Sequence, residues 1–431
     1  MLKEHIEEAY GPIRYTIGAG SSGGSMQQHQ IASAYPGLLD GIQPMASFPD
    51  VWETVQEAED CHLLNHYFAS LNGAQITQAQ QDAVTGSLVG GGCRAQWDGP
   101  HGLGTPDVGN YAGMWLDPAN APGCGLDKAL VYDAATNPQG VRCTLPDYMV
   151  SIFGRRASDG FANRPYDNVG VQYGLHALQS GKLTPEQFVD LNEHVGGLSI
   201  DWGFQPDRVA ADPAALTAAY RGGLISNGRN LARVPIVDIR GQDNVEIHAD
   251  FHSYAMRARL DRVNGHHDNQ VIWTGSRPLV GDPAAFTGAF ELIDRWLGRI
   301  ESNRSRKSLP AKVLAERPRD AVDTCWVEGR RITDQATCRT AFPYFGDPRI
   351  AAGGKLADDV VKCRLRPLAR EEYPAALTDS QFARLAKAFP GGVCDASKPG
   401  VGQRAPLRWP TFATGSGGRA LGPPPRSKPL R

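Results

Sequence analysis

Apolar and polar positions along the chain follow two different periods, and the switches between them predict the elements. Residues 3–9 have the spacing of a short amphipathic helix, closed by Gly11-Pro12. Residues 13–17 (Ile-Arg-Tyr-Thr-Ile) are rich in β-branched and aromatic side chains and predict a strand. A Gly/Ser run, residues 18–24, breaks the pattern. Helical spacing returns over residues 25–34 and ends at Tyr35-Pro36, and residues 39–45 predict a second strand. Strand, tight turn, helix and strand make a βαβ unit, hence a parallel sheet. The same style resumes at residues 234–240 (strand), 246–263 (helix), 270–274 (strand) and 283–300 (amphipathic helix).

Between these blocks the pattern changes. Residues 51–224 hold Gly- and Asn-rich loops with scattered aromatics such as Trp97, Trp115, Phe153, Trp202 and Phe204. One helix is predicted there, from Pro185 to Val195 with Thr184 as its cap. Regular βαβ alternation is missing, so this stretch reads as an inserted lid. A polar linker at 301–307 leads into four cysteines within 70 residues and a Pro/Gly/Arg tail after Thr411. That predicts a small disulfide-stapled module with a disordered end. The expected organisation is therefore a first core part at 1–50, a lid at 51–224, a second core part at 225–302 and a Cys-rich module at 303–431.

Composition narrows the function classes. The 431 residues carry a net charge of -2, without the basic excess of a nucleic-acid protein. No run approaches 18 apolar residues, so no membrane span is expected. The eight cysteines include no Cys-x-x-Cys pair, which disfavours zinc ribbons and thioredoxin-like sites. A disulfide framework fits better and implies an oxidising compartment, secreted or periplasmic; the alternative is a cytosolic chain with reduced thiols. The charged N-terminal residues 1–8 lack the apolar stretch of a signal peptide. The chain is accordingly expected to start inside a domain whose first strands are missing.

The strongest chemical signal is Gly20-Ser21-Ser22-Gly23-Gly24, a G-x-S-x-G match between a predicted strand and a predicted helix. Small residues beside a nucleophile let the strand and helix cross closely. The turn puts Ser22 at a helix N-terminus, where the Gly23 amide can stabilise an oxyanion. The bland alternative is a phosphate-binding turn or plain connector. A nucleophilic serine needs a base and an orienting acid. Asp243 follows the strand 234–240 at its carboxyl end and is the candidate acid; otherwise it is a turn residue or helix cap. Asp238, within the strand, and Asp250 are weaker choices. No histidine lies beyond His267, and His266 and His267 precede a strand. His29, two helical turns past Ser22, reads as packed or solvated. That leaves His248 as candidate base and His252, one turn further on the same helix face, as second choice. His62 and His66 form another i, i+4 pair, so a zinc site built from His62, His66, His248 and His252 is a competing reading. His101-Gly102-Leu103-Gly104 faintly echoes an oxyanion loop but lies downstream of Ser22.

Residues 20–30 together with Tyr35-Pro36-Gly37-Leu38-Leu39-Asp40-Gly41-Ile42 resemble the tannase/feruloyl-esterase group of α/β-hydrolases. The Arg240-Gly241-Gln242-Asp243 segment resembles the strand end that bears that group's acid. A closer likeness is to an uncharacterised family of secreted bacterial proteins related to it, through the elbow, Ile247-His248 and the cysteines from Cys363 to Cys394. The resemblance implies an α/β-hydrolase-type parallel sheet with a large lid, and ester hydrolysis. The chain departs from the group in lacking a histidine after the last strand, and no calcium site can be carried over. The expectation is a serine esterase acting on a small-molecule or polymeric ester without cofactor, nucleic acid or membrane. In it Ser22 attacks, His248 moves the proton, Asp243 orients the imidazole and Gly23 contributes to the oxyanion hole. The second expectation is a non-catalytic binding or structural protein on a degenerate hydrolase scaffold, and the third a His-ligated metallohydrolase.

Overall fold

The computed structural model describes residues 2–86, 93, 126–133, 135–142, 145–199, 204–241, 248–277, 282–344 and 346–407. Helix α1 (Leu2–Tyr10) precedes strand β1 (Ile17–Ser21), helix α2 (Gly23–Ala34) and strand β2 (Gly41–Met45). Helix α3 (Val51–Ala69) opens the long segment between β2 and β3 (Ile236–Arg240), which also carries α4 (Pro185–His194) and α5 (Pro213–Gly222). Helix α6 (Phe251–Asn264), strand β4 (Gln270–Gly275), helix α7 (Pro283–Ser302) and strands β5 (Thr324–Val327) and β6 (Arg330–Ile332) follow.

The six strands lie side by side in chain order. The first five are parallel, and β6 returns antiparallel to β5. Strands β2, β3 and β4 are buried throughout, as a parallel sheet covered on both faces requires. On one face Ile42 and Ile236 pack with Ala32 of α2 and Met256 and Leu260 of α6. On the other, Met45, Val237, Ile239, Val271 and Trp273 meet α7 through Ala289, Ile293 and Trp296.

Most predicted elements form, with informative shifts. The first strand begins at Ile17 rather than residue 13, because its ladder runs through Gly18, Ala19 and Gly20, where side chains are small enough for α2 to lie close. A Cβ on Gly18 would come within 2.9 Å of Gln28 Cγ. Thr184 does cap α4, accepting from the Gln187 amide. Helix α6 starts at Phe251, so His248 lies in the turn before it and does not share a helix face with His252. The Arg240 guanidinium takes the His248 carbonyl and shares that of Ala249 with the His252 amide, so the chain enters α6 through a tight turn.

Two features exceed the sequence reading. Helix α3 has fourteen buried residues, including Glu53, Glu57, Glu59 and Asp60. The stretch after residue 303 contributes β5 and β6 to the central sheet, and helix α8 (Asp379–Ala388) packs through Leu385 into the core shared with Phe188 and Leu191 of α4. Among the described residues the cysteines form the disulfides Cys61–Cys93, Cys325–Cys338 and Cys363–Cys394. No described helix is long and apolar enough to cross a membrane.

Candidate functional site

Ser22 stands between β1 and α2 with φ 55° and ψ -119°. An L-residue held there is strained by about 1–3 kcal/mol, a conformation that survives only where surrounding structure imposes it. Three contacts impose it here. The Ser22 amide donates to Met45 O (3.0 Å), extending the β1–β2 ladder into the turn. Ser25 Oγ donates to Ser22 O (2.6 Å). Gln28 Nε2 donates to Gly20 O (3.1 Å) and Gly24 O (2.9 Å), tying strand to helix across the turn. Gly20 has a steric role: a Cβ there would lie 3.3 Å from Gly24 Cα. Ser22 makes no side-chain cap bond although it occupies the cap position, and it is only partly buried. Gly23 opens α2, and its amide is among the first-turn donors that have no intrahelical acceptor.

The carboxyl edge of the sheet brings further residues alongside. Beyond β2, the Ala46 amide donates to Ile239 O, and Ser47 Oγ donates to the Asp238 carboxylate (3.0 and 3.1 Å). Burial raises the Asp238 carboxyl to about 6. Arg240, wholly buried at the end of β3, donates to Ser47 O (2.5 Å), Ala249 O (2.7 Å) and His248 O. It thereby clamps the β2 end to the turn bearing His248. The His248 ring is buried 5.8 Å from the Phe48 ring. Ser22 and His248 thus occupy the same edge of the sheet, two strands apart. Asp243 lies outside the described residues.

The other histidines separate by environment. His252 is fully buried, with Nδ1 2.5 Å from Glu53 Oε1 and Nε2 3.4 Å from Glu57 Oε2. Burial pushes the imidazole down and Glu53 well up, the latter against the pull of the Arg259 guanidinium. Both ring nitrogens of His252 therefore face α3. His29 is buried in α2, and burial lowers it to about 4. His62 and His66 stack on Phe204, the latter at 3.6 Å between ring centroids. His62 lies nine residues beyond Glu53 on α3, roughly 13 Å along the helix. The two histidine pairs therefore do not converge. Among the described residues the grouping with metal-ligand spacing is Asp190, Glu193 and His194, whose acids already serve Tyr67, Asn72 and Arg384.

Sequence reasoning missed Arg240 as an organiser and Ser47–Asp238 as its neighbour. The available signal was a charged pair, Asp238 and Arg240, inside an otherwise apolar strand of a buried sheet, which demands buried partners.

The site and fold together define a mixed α/β protein with a mostly parallel sheet and a strained serine turn at its carboxyl edge. The chain belongs to the tannase-like family of unknown function (DUF6351), whose model matches residues 1–405. No curated protein and no solved structure matches it.

Proposed function

We propose that the chain is a serine hydrolase of the α/β-hydrolase type that cleaves carboxylic esters. The observation that carries this reading is the backbone of Ser22: a positive-φ serine between a parallel strand and a helix, its hydroxyl not used as a cap. Membership of a tannase-like family supports the same reading. Ser22 Oγ attacks the ester carbonyl while His248 accepts its proton. The tetrahedral oxyanion faces the Gly23 amide. Collapse expels the alcohol, which takes the proton from the imidazolium and leaves an acyl-serine. Water, deprotonated by His248, then releases the acid and restores Ser22. Asp243 orients the imidazole. His248 is preferred to His252 because the latter's nitrogens are engaged with Glu53 and Glu57. The substrate class is a small-molecule or polymeric ester, and the disulfides fit a secreted or periplasmic site of action.

The test is covalent labelling by a fluorophosphonate probe of the wild type beside Ser22→Ala and His248→Ala. Labelling of the wild type, lost in both variants, supports the scheme. A folded wild type that does not label overturns it in favour of a non-catalytic scaffold.

A further inference from the structure

A cavity of about 660 Å³ lies between the second half of α6, the loop after α5 and the segments 349–363 and 394–404. That volume suits a drug-sized organic molecule. It is not the serine site. No residue of the Ser22 turn, the β2 end or the His248 turn lines it. It meets α6 at Ala258, Arg262 and Val263, seven to twelve residues past Phe251. That is roughly 10–18 Å along the helix, away from the carboxyl edge of the sheet.

The walls are built in advance. Arg259 donates to Ala357 O (2.6 Å) and Asp358 O (2.9 Å), fixing the 349–363 segment to α6. Arg262 makes a two-pronged pair with Asp359, whose carbonyl also accepts from Tyr220 Oη (2.9 Å). The Cys363–Cys394 disulfide and the Val401 N to Lys362 O bond (2.8 Å) join the two outer segments. Inside, Tyr220, Ile225, Val263, Leu356 and Val360 give a largely apolar lining. The charged lining is unequal. Arg349 is committed to Asp60 and Arg262 to Asp359. Asp358, which accepts from Gln56, and Asp395, which accepts from Ser397 beside the lining Lys398, are the other carboxylates of the wall. Lys355 and Arg404 also line the cavity, are exposed, and have no ion pair among the described residues.

We propose that this cavity is a second ligand site, taking an amphipathic organic anion whose carboxylate meets Lys355 and Arg404 while its ring system lies against Tyr220, Ile225 and Val263. The proposal is independent of the serine chemistry, and its test reads binding alone.

The probe is 1-anilinonaphthalene-8-sulfonate, followed by fluorescence on the full chain. It should bind at one site per chain and be displaced by biphenyl-4-carboxylate at least tenfold more effectively than by the uncharged biphenyl-4-carboxamide. The Lys355→Glu/Arg404→Glu double variant, altered only at exposed side chains, should weaken carboxylate binding at least tenfold. Ala258→Phe, which fills the α6 wall, should weaken both compounds, and Ser22→Ala neither. Equal displacement by acid and amide, or binding unchanged in both the charge-reversed and the filled variants, would overturn the proposal.

Discussion

Two regions of this molecule hold polar side chains under opposite regimes. At the Ser22 turn the backbone is strained, the neighbours are glycines and the hydroxyl is left out of the capping scheme. At the α3–α6 interface Asp50, Glu53 and Arg259 are buried and engaged with one another. Arg259 donates to Asp50, Glu53, Ser226 O, Ala357 O and Asp358 O. Asp50 caps α3 through the Trp52 and Glu53 amides at 3.0 Å in ordinary extended conformation, φ -161°. Both Ser22 and Asp50 stand immediately before a helix. One residue gives its side chain to the helix and needs no strain; the other keeps its side chain and is held in strain by its surroundings. The shifts of the second region, well upward at Glu53 and Asp358 and downward at His252, have burial in a structural network as their cause. Perturbed ionisation alone therefore points away from the proposed serine site.

The sharpest break of the comparison is functional. Ser22→Ala should lower ester hydrolysis by about a thousandfold or more while leaving the unfolding midpoint unchanged. Retained hydrolysis, measured on p-nitrophenyl esters, would remove Ser22 from the mechanism. Arg259→Leu should do the reverse. It leaves the Asp50 carboxylate buried without its cation, and loss of one partner of a buried pair costs about 3–5 kcal/mol. Urea unfolding reads this directly. A cost below 1 kcal/mol would mean that the network is not the clamp between α3 and α6.

How far the sequence announces these regions depends on what each asks of its residues. The turn is legible because Gly20, Ser22 and Gly24 stand at fixed spacing between a strand and a helix, with Gly20 passing close to Gly24. Strands β3 and β4 are legible from their β-branched and aromatic residues, and β2 from its place after the turn and helix. Helix α3 is not, because Glu53, Glu57, Glu59 and Asp60 interrupt its apolar pattern while being as buried as its leucines. Glu53 finds its partner in Arg259 and Glu57 in His252, both on α6, and Asp60 finds its own in Arg349, all about 200 positions away or more. His248 departs from the expected helix face for a related reason: it lies in the turn held by Arg240, whose bonds to the carbonyls of His248 and Ala249 no local pattern records.

Ionisation offers a finer test of the buried side. His29 is lowered to about 4 by burial, against about 6.5 when unfolded. Below pH 6.5 the unfolded chain gains a proton that the folded chain refuses. The stability due to neutral His29 is complete above pH 6.5 and is lost as pH falls towards 4. Asp238 and Asp347, both raised to about 6, act in the opposite sense, but a variant shares them with the wild type. The stability advantage of wild type over His29→Gln should therefore shrink by about 2 kcal/mol between pH 7 and pH 4.5. A gap independent of pH would place the ring in a solvated setting.

The smallest effect bears most directly on the elbow. Replacing Ser22 with glycine removes the Cβ that makes φ 55° unfavourable, a relief of about 1–3 kcal/mol. Glycine also makes the unfolded chain more flexible, which costs about 0.5–1 kcal/mol. The net expectation is a gain near 1 kcal/mol for Ser22→Gly. Ser22→Ala is the matched reference, because it loses the same hydroxyl yet keeps the Cβ. Any difference between the two variants reports the backbone and not the missing oxygen. Both should be inactive towards the fluorophosphonate, so stability and reactivity part company at a single position. If Ser22→Gly is less stable than Ser22→Ala, the serine is not held against its own preference, and the geometric support for a nucleophile elbow falls with it.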